Sequence, residues 1–205
     1  MLKYVDTRVC FAEIPDEITL CINLSNCPCH CEGCHSPHLA EDIGKPLLYF
    51  TIENLLEENK GISAICFMGG DAEPELINRY ARLIRESTVP VLEYEFVVQK
   101  DIVFPMKDMV LNKGEKVKVF KHIPNPIKIG WYSGRQELSE KINLENFDYI
   151  KLGPYIKDKG PLDNPNTNQR FYQVVNGELV DITHKFWKHE TENQSKENQQ
   201  EPASS

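Results

Sequence analysis

No stretch of this chain stays apolar for the roughly 20 residues that a membrane-spanning helix needs, which speaks against a membrane partner. The first residues, MLKYVDTRVC, contain no apolar segment of signal-peptide type, so the expectation is a cytoplasmic protein. Basic excess is also missing: 23 Lys and Arg face 31 Asp and Glu, a formal charge of −8. General nucleic-acid binding, which rests on basic surface, is therefore not expected. No internal repeat is visible, which sets aside solenoid and propeller arrays.

Cysteine, by contrast, is plentiful. The chain has 7 in 205 residues. In a reducing compartment that number points to metal or redox chemistry rather than to disulfides. Cys10, Cys21 and Cys66 stand in apolar stretches and read as small buried hydrophobes. The other four crowd into NCPCHCEGCH, residues 26–35.

Within that run Cys27, Cys31 and Cys34 have the spacing Cys-x3-Cys-x2-Cys. An iron–sulfur cubane usually takes four thiolates. A loop offering three leaves one iron open, as a catalytic metal site keeps a vacant position where a structural site is closed. Other chemistries fit parts of the run. A zinc knuckle could draw on Cys29, His35 or His38, although zinc ligand pairs are usually separated by a dozen or more residues. Cys31-Glu-Gly-Cys34-His35 matches a c-type haem attachment motif but leaves Cys27 idle, as does a thioredoxin-like pair.

Strands alternate with helices along most of the sequence. Residues 17–24 read as a strand delivering the cysteine loop. A short helix is predicted over 51–60 with Thr51 as its N-cap. Residues 62–68, ISAICFM, form a buried-strand run that ends in GGDAEP. A helix then carries Leu76, Ile77, Tyr80, Leu83 and Ile84 on one face, with Pro74 in its first turn. Strands are predicted over 127–132 and 149–152, a helix over 135–142, and a hairpin over 171–183 around Asn176-Gly177. The pattern predicts an α/β fold with a largely parallel sheet and a C-terminal β-hairpin. Residues 89–126 break the alternation and read as a β-rich insertion in a domain spanning 1–188. Residues 189–205 are polar and expected to be a disordered tail.

The cysteine run, MGGDAEP (68–74), GWYSGRQE (130–137) and LGPYIKDKGPLDNPNTNQRFYQV (152–174) occur in an order that resembles the radical S-adenosylmethionine superfamily. Within it, the chain is similar to the activating proteins of anaerobic (class III) ribonucleoside-triphosphate reductases. It departs from the pattern where Ala72 replaces the proline that commonly follows GGD, and in the 89–126 insertion. The resemblance implies a partial (β/α) barrel, one [4Fe–4S] cluster on Cys27, Cys31 and Cys34, and S-adenosylmethionine as second cofactor. Cys29 is a bystander in that pattern. Cofactor-binding residues implied or flanking the motifs are Gly33, His35, Gly69, Gly70, Asp71, Ser133 and Gly134. No catalytic side chain beyond the cluster ligands is required. The implied partners are the large reductase subunit, on which a glycyl radical forms, and an electron donor such as flavodoxin or ferredoxin. A radical enzyme acting on a small molecule, of deazapurine-synthase type, would share the first two motifs. A non-enzymatic zinc or electron-transfer module would share only the cysteines.

Overall fold

The computed structural model describes residues 1–104 and 109–187. The expected polar tail and part of the 89–126 segment lie outside the described residues. The chain divides into two compact units, Met1–Ala81 with the chain from Ile127 onward, and Arg82–Pro126.

The first unit holds β1 (Lys3–Cys10), β2 (Thr19–Leu24), β3 (Lys45–Pro46) and β4 (Ala64–Met68), with α1 (Tyr49–Glu58) between the last two. The helix α2 (Pro74–Glu86) follows β4 and runs into the second unit. That unit contains β5 (Thr88–Val97), β6 (Ile102–Phe104), β7 (Met109–Leu111) and β8 (Lys116–Pro124). The chain returns to the first unit with β9 (Lys128–Tyr132), β10 (Tyr149–Leu152), β11 (Arg170–Val175) and β12 (Glu178–Asp181).

Eight strands form one sheet in the order β12-β11-β10-β9-β4-β2-β1-β3. Only the centre is parallel, through β2/β4, β4/β9 and β9/β10. The flanks β1/β2, β1/β3, β10/β11 and β11/β12 are antiparallel. The sheet is thus mixed, and α1 and α2 are the only α-helices among the described residues. This overturns the partial (β/α) barrel and the largely parallel sheet expected from the sequence. The physical reason lies in the connections. A parallel barrel needs a helical crossover after each strand, and here β9 reaches β10 without one. Residues 135–142 form no helix. Their apolar content is too sparse for a helical face, and Ser139 satisfies the backbone locally: its Oγ accepts from the Lys141 N–H, and its carbonyl from Ile142. The N-terminal strand β1, which the sequence reading did not anticipate, pairs antiparallel with β2 on one side and with the edge strand β3 on the other.

The central strands are nearly continuous apolar runs because both faces are covered: β10 is buried throughout and β4 in four of its five residues. Tyr149 stacks on Phe171 with ring centroids 5.7 Å apart, and Phe186 meets Phe171 edge-on at 4.9 Å. In α2, Ile77, Tyr80 and Ala81 are buried, and the Tyr80 hydroxyl donates to the Leu47 carbonyl at 2.7 Å. The helix α1 begins at Tyr49 with Leu48 as cap, so Thr51 lies inside its first turn. Between β11 and β12, Asn176 and Gly177 take φ of 52° and 79°. A two-residue hairpin needs such positive φ to match strand twist.

In the second unit β5 and β8 form a long antiparallel ribbon with an irregularity between Leu92 and Tyr94. Its Lys118–Glu95 and Lys121–Glu93 pairs, each 3.9 Å, are exposed and contribute little to stability. Strands β6 and β7 pair with each other. Among the described residues no helix is long and apolar enough to cross a membrane.

One polar tie holds the end of the parallel centre that lies away from the cysteine loop. Glu17, 8% exposed, accepts from Lys128 Nζ at 2.5 Å and from the Tyr149 hydroxyl at 3.2 Å. It links the approach to β2 with the first residues of β9 and β10. Burial pushes the Glu17 carboxyl up, but the hydrogen bonds from Lys128 and Ser63 and the Lys128 charge outweigh it, and the net shift is downward. Because the folded value is depressed, this tie stabilises the fold fully above the ordinary carboxyl value near 4.5 and is lost as pH falls through the folded value. We expect Glu17→Gln to cost about 1–3 kcal/mol at neutral pH. In urea titrations from pH 7 to pH 3, the gap between the variant and the parent should narrow at acid pH.

Candidate functional site

The loop between β2 and α1 folds back on itself through its backbone. The Ser25 N–H donates to the Lys3 carbonyl at 3.1 Å, Asn26 to Glu41 at 2.9 Å and Cys27 to Leu39 at 2.9 Å. Asn26 and His30 take φ of 58° and 43°, a region that asparagine tolerates better than most residues. These reversals let four cysteines share a short stretch. The N–H of Cys34 donates to the Cys31 carbonyl at 3.2 Å, and the N–H of Ser36 donates to Cys34 Sγ at 3.4 Å.

Facing this loop are the C-terminal ends of β4, β9 and β10. At the end of β4 the backbone turns sharply through Gly69 and Gly70, with φ of 94° and 83°. The Gly69 N–H donates to the Tyr132 carbonyl at 2.9 Å, and its carbonyl accepts from Trp131 Nε1 at 2.7 Å. The turn delivers Asp71, 3% exposed. Its carboxylate accepts from Ser133 Oγ at 2.5 Å and from the Gly134 N–H at 3.0 Å. Asp71 thus turns its carboxylate toward the end of β9. Ser133, 1% exposed, also accepts at its Oγ from the Arg135 N–H at 3.1 Å.

These groups enclose a cavity of about 560 Å³. Of the residues singled out from sequence, Cys27, Cys31, Cys34, His35, Gly69, Asp71, Ser133 and Gly134 line it. Gly33 and Gly70 are not in its wall. A Cβ on Gly33 would meet the Tyr155 ring at 3.4 Å, and that ring also packs edge-on against His35 at 5.6 Å. A Cβ on Gly70 would lie 2.8 Å from both Ile77 Cδ1 and Leu24 Cδ1, so Gly70 serves core packing.

Cys29, set aside in the sequence reading, points into the same cavity. Its thiol lies 3.9 Å from Asp71 Oδ2, and the donor atoms of Cys27, Cys29 and Asp71 lie within 4.8 Å of one another. Burial first, and then the negative charges of Asp71, Cys27 and Cys31, push the Cys29 thiol up to about 12.

The sequence reading missed Lys151, which is buried in the cavity wall; Gln169, from the 152–174 motif, is buried there too. Lys151 is 8% exposed in a strand buried throughout. Its ammonium donates to the carbonyls of Gly153 at 2.5 Å and Ser133 at 3.4 Å. Burial lowers it to about 8, opposed by the charges of Asp71, Cys31, Cys29 and Cys34. A lysine in the middle of an apolar strand, YIKL, was the available signal. The site therefore sets a buried cation beside a buried anion, with a rim of thiols.

No protein-family model, curated protein or solved structure matches the chain.

Of the β4-turn glycines, Gly70 differs in a measurable way from an open one. We expect Gly70→Ala to cost about 2–4 kcal/mol, combining positive-φ strain with overpacking against Leu24 and Ile77. Gly61→Ala, at φ of 100° with no neighbour within 4 Å, should cost only the strain, about 1–2 kcal/mol. Denaturant midpoints of the two variants check the difference.

Proposed function

We propose that this chain activates an anaerobic ribonucleoside-triphosphate reductase, with a [4Fe–4S] cluster on Cys27, Cys31 and Cys34 and S-adenosylmethionine bound beside it. The observation that carries the reading is the convergence of those three thiols with Gly69, Asp71, Ser133 and Gly134 on one cavity. Its volume of about 560 Å³ falls within the usual range for small-molecule sites, about 300–1,000 Å³. The donor set fits the group, because soft thiolates crowded on one loop suit iron–sulfur ligation.

When bound, the cluster and the sulfonium cofactor supply reductive carbon–sulfur cleavage and the radical that removes a hydrogen from the partner's glycine. The chain's own residues bind and orient. Asp71 keeps further lone pairs free on its oxygens and attracts the amino group of an amino-acid-like ligand. Lys151 attracts its carboxylate. Both are held by hydrogen bonds before any ligand arrives, so little ordering cost is left for binding. Gly69 lets the backbone come close to the ligand without a side chain in the way. A cytoplasmic setting, an electron donor such as flavodoxin or ferredoxin, and the large reductase subunit as partner belong to the same proposal.

The close grouping of Cys27, Cys29 and Asp71 favours a second reading, a single soft cation such as zinc. Anaerobic reconstitution separates the two. The proposal expects about four irons and four sulfides per chain, and a glycyl electron paramagnetic resonance signal on the reductase after reduction with S-adenosylmethionine. Colourless protein with stoichiometric zinc would overturn it. Cofactor cleavage without the glycyl signal would point to a small-molecule substrate instead. Alanine at Cys27, Cys31 or Cys34 should abolish cofactor cleavage, whereas Cys29→Ala should largely spare it. Lys151→Met should keep the iron content and weaken S-adenosylmethionine binding about 10- to 100-fold, the loss of a charge-assisted contact. Equilibrium binding to the reconstituted variant measures it.

A further inference from the structure

A second group of thiols lies apart from the loop. Cys10 ends β1, and Cys21 lies in β2. Their register places Cys10 opposite Thr19 and Arg8 opposite Cys21, so the two cysteines sit diagonally across one antiparallel ladder. Their Sγ atoms are 2.6 Å apart. Non-bonded carbons rest at about 3.5–4.0 Å, and sulfur is larger. The pair therefore stands well inside ordinary contact and within reach of the bonded distance of about 2.05 Å. Cys10 is at a strand end, where a small shift disturbs little, and it is half-buried. Cys21 is wholly buried. Neither belongs to the cavity wall.

The same atoms invite a metal reading, since Cys10, Glu13 and Cys21 present donors within 4.8 Å of one another. Three observations count against it. A tetrahedral zinc with sulfur at about 2.3 Å holds two thiolates about 3.8 Å apart, so a metal would have to separate these sulfurs. The Glu13 carboxylate is already paired with Arg8 at 3.0 Å. Burial pushes both thiols up, which keeps them protonated and poor as ready-made ligands. That last point also makes any reaction of the pair slow, with the half-exposed Cys10 as the point of entry.

We propose that Cys10 and Cys21 form an oxidisable pair that closes to an intrachain disulfide on exposure to hydrogen peroxide. Cys10 sulfur attacks one peroxide oxygen. The O–O bond breaks, water leaves, and Cys10 becomes a sulfenic acid. Cys21 sulfur attacks the Cys10 sulfur, the S–S bond forms as the sulfenic S–O bond breaks, and the hydroxyl leaves with the Cys21 thiol proton as the second water. In sum, two thiols lose two electrons and two protons, and one peroxide becomes two waters. The bond ties the end of β1 to the strand that feeds the cysteine loop. It also closes a ring around Glu13, which lines the cavity and whose carbonyl accepts from the Tyr132 hydroxyl. The inference does not depend on the cluster reading, since it concerns thiols outside that site.

The full-length protein, prepared anaerobically, is treated with one equivalent of hydrogen peroxide, quenched with an alkylating agent under denaturing conditions, and digested without reductant. The expected result is a peptide pair joined through Cys10 and Cys21, lighter by two hydrogens than the separate peptides, with both cysteines lost from the alkylated pool. In Cys10→Ser, a change at a half-buried position that should leave the fold intact, the pair is absent and Cys21 is alkylated in full. The proposal is overturned if both cysteines stay alkylatable, if Cys10 stops at a sulfinic acid with Cys21 free, or if Cys21 joins Cys66 or Cys10 joins a loop cysteine. Zinc that co-purifies with the parent and is lost in Cys10→Ser would also overturn it.

Discussion

The candidate site depends on one buried carboxylate. Asp71 is almost wholly removed from water, and a carboxylate in that position is costly unless its oxygens are hydrogen-bonded. Ser133 Oγ and the Gly134 N–H meet that demand. In doing so they fasten the turn after β4 to the turn after β9. Lys151 on β10 adds a cation to the same pocket and binds the backbone of Ser133 and Gly153. Three strand ends are thereby locked into one wall, and the cysteine loop that leaves β2 stands against it. Without that lock the wall would be three loose loop ends, and a polar ligand would have to order them on binding.

The sheet explains why these ends coincide. The strands β2, β4, β9 and β10 run parallel, so all four release the chain at the same edge, where loops from sequence-distant segments gather into a ligand site. The antiparallel strands outside them do different work. On one side β1 lies between β2 and the short edge strand β3 and carries Arg8 and Cys10. On the other, the β11/β12 hairpin brings in Phe171, which joins the Tyr149, Tyr132 and Phe186 rings. The Glu17–Lys128–Tyr149 tie holds the opposite edge. The parallel centre is therefore pinned by polar contacts at both ends and by apolar packing between them.

Much of this was legible in the linear pattern. The runs that became β2, β4, β9 and β10 are short, apolar and bounded by glycine or polar residues, and their type follows from that. The Asn-Gly pair announced its hairpin through a backbone conformation few other residues adopt. The helix of residues 135–142 was misjudged because isolated apolar residues at roughly helical spacing do not outweigh a serine that closes its own turn. The barrel was misjudged for a related reason. Local motifs say which strands are parallel neighbours of a ligand site, but not how many helical crossovers the rest of the chain supplies. The strand β1 was overlooked since a mixed polar stretch such as KYVDTRVC gains its stability from a partner, not from its own composition.

The residue order alone was enough to specify the chemistry on offer: thiols at fixed spacing on one loop, and a glycine turn followed by an aspartate. These are local matters, set by covalent spacing and by which residues tolerate positive φ. It could not say that Cys29 turns inward toward Asp71, that Gly70 packs against Leu24 and Ile77 while Gly69 faces the cavity, or that Lys151 lies beside the cysteines. Nor could it bring Cys10 against Cys21. Each of those facts depends on which face of a strand meets which neighbour, and that register is settled only when the whole sheet closes and every buried polar group has to find a partner.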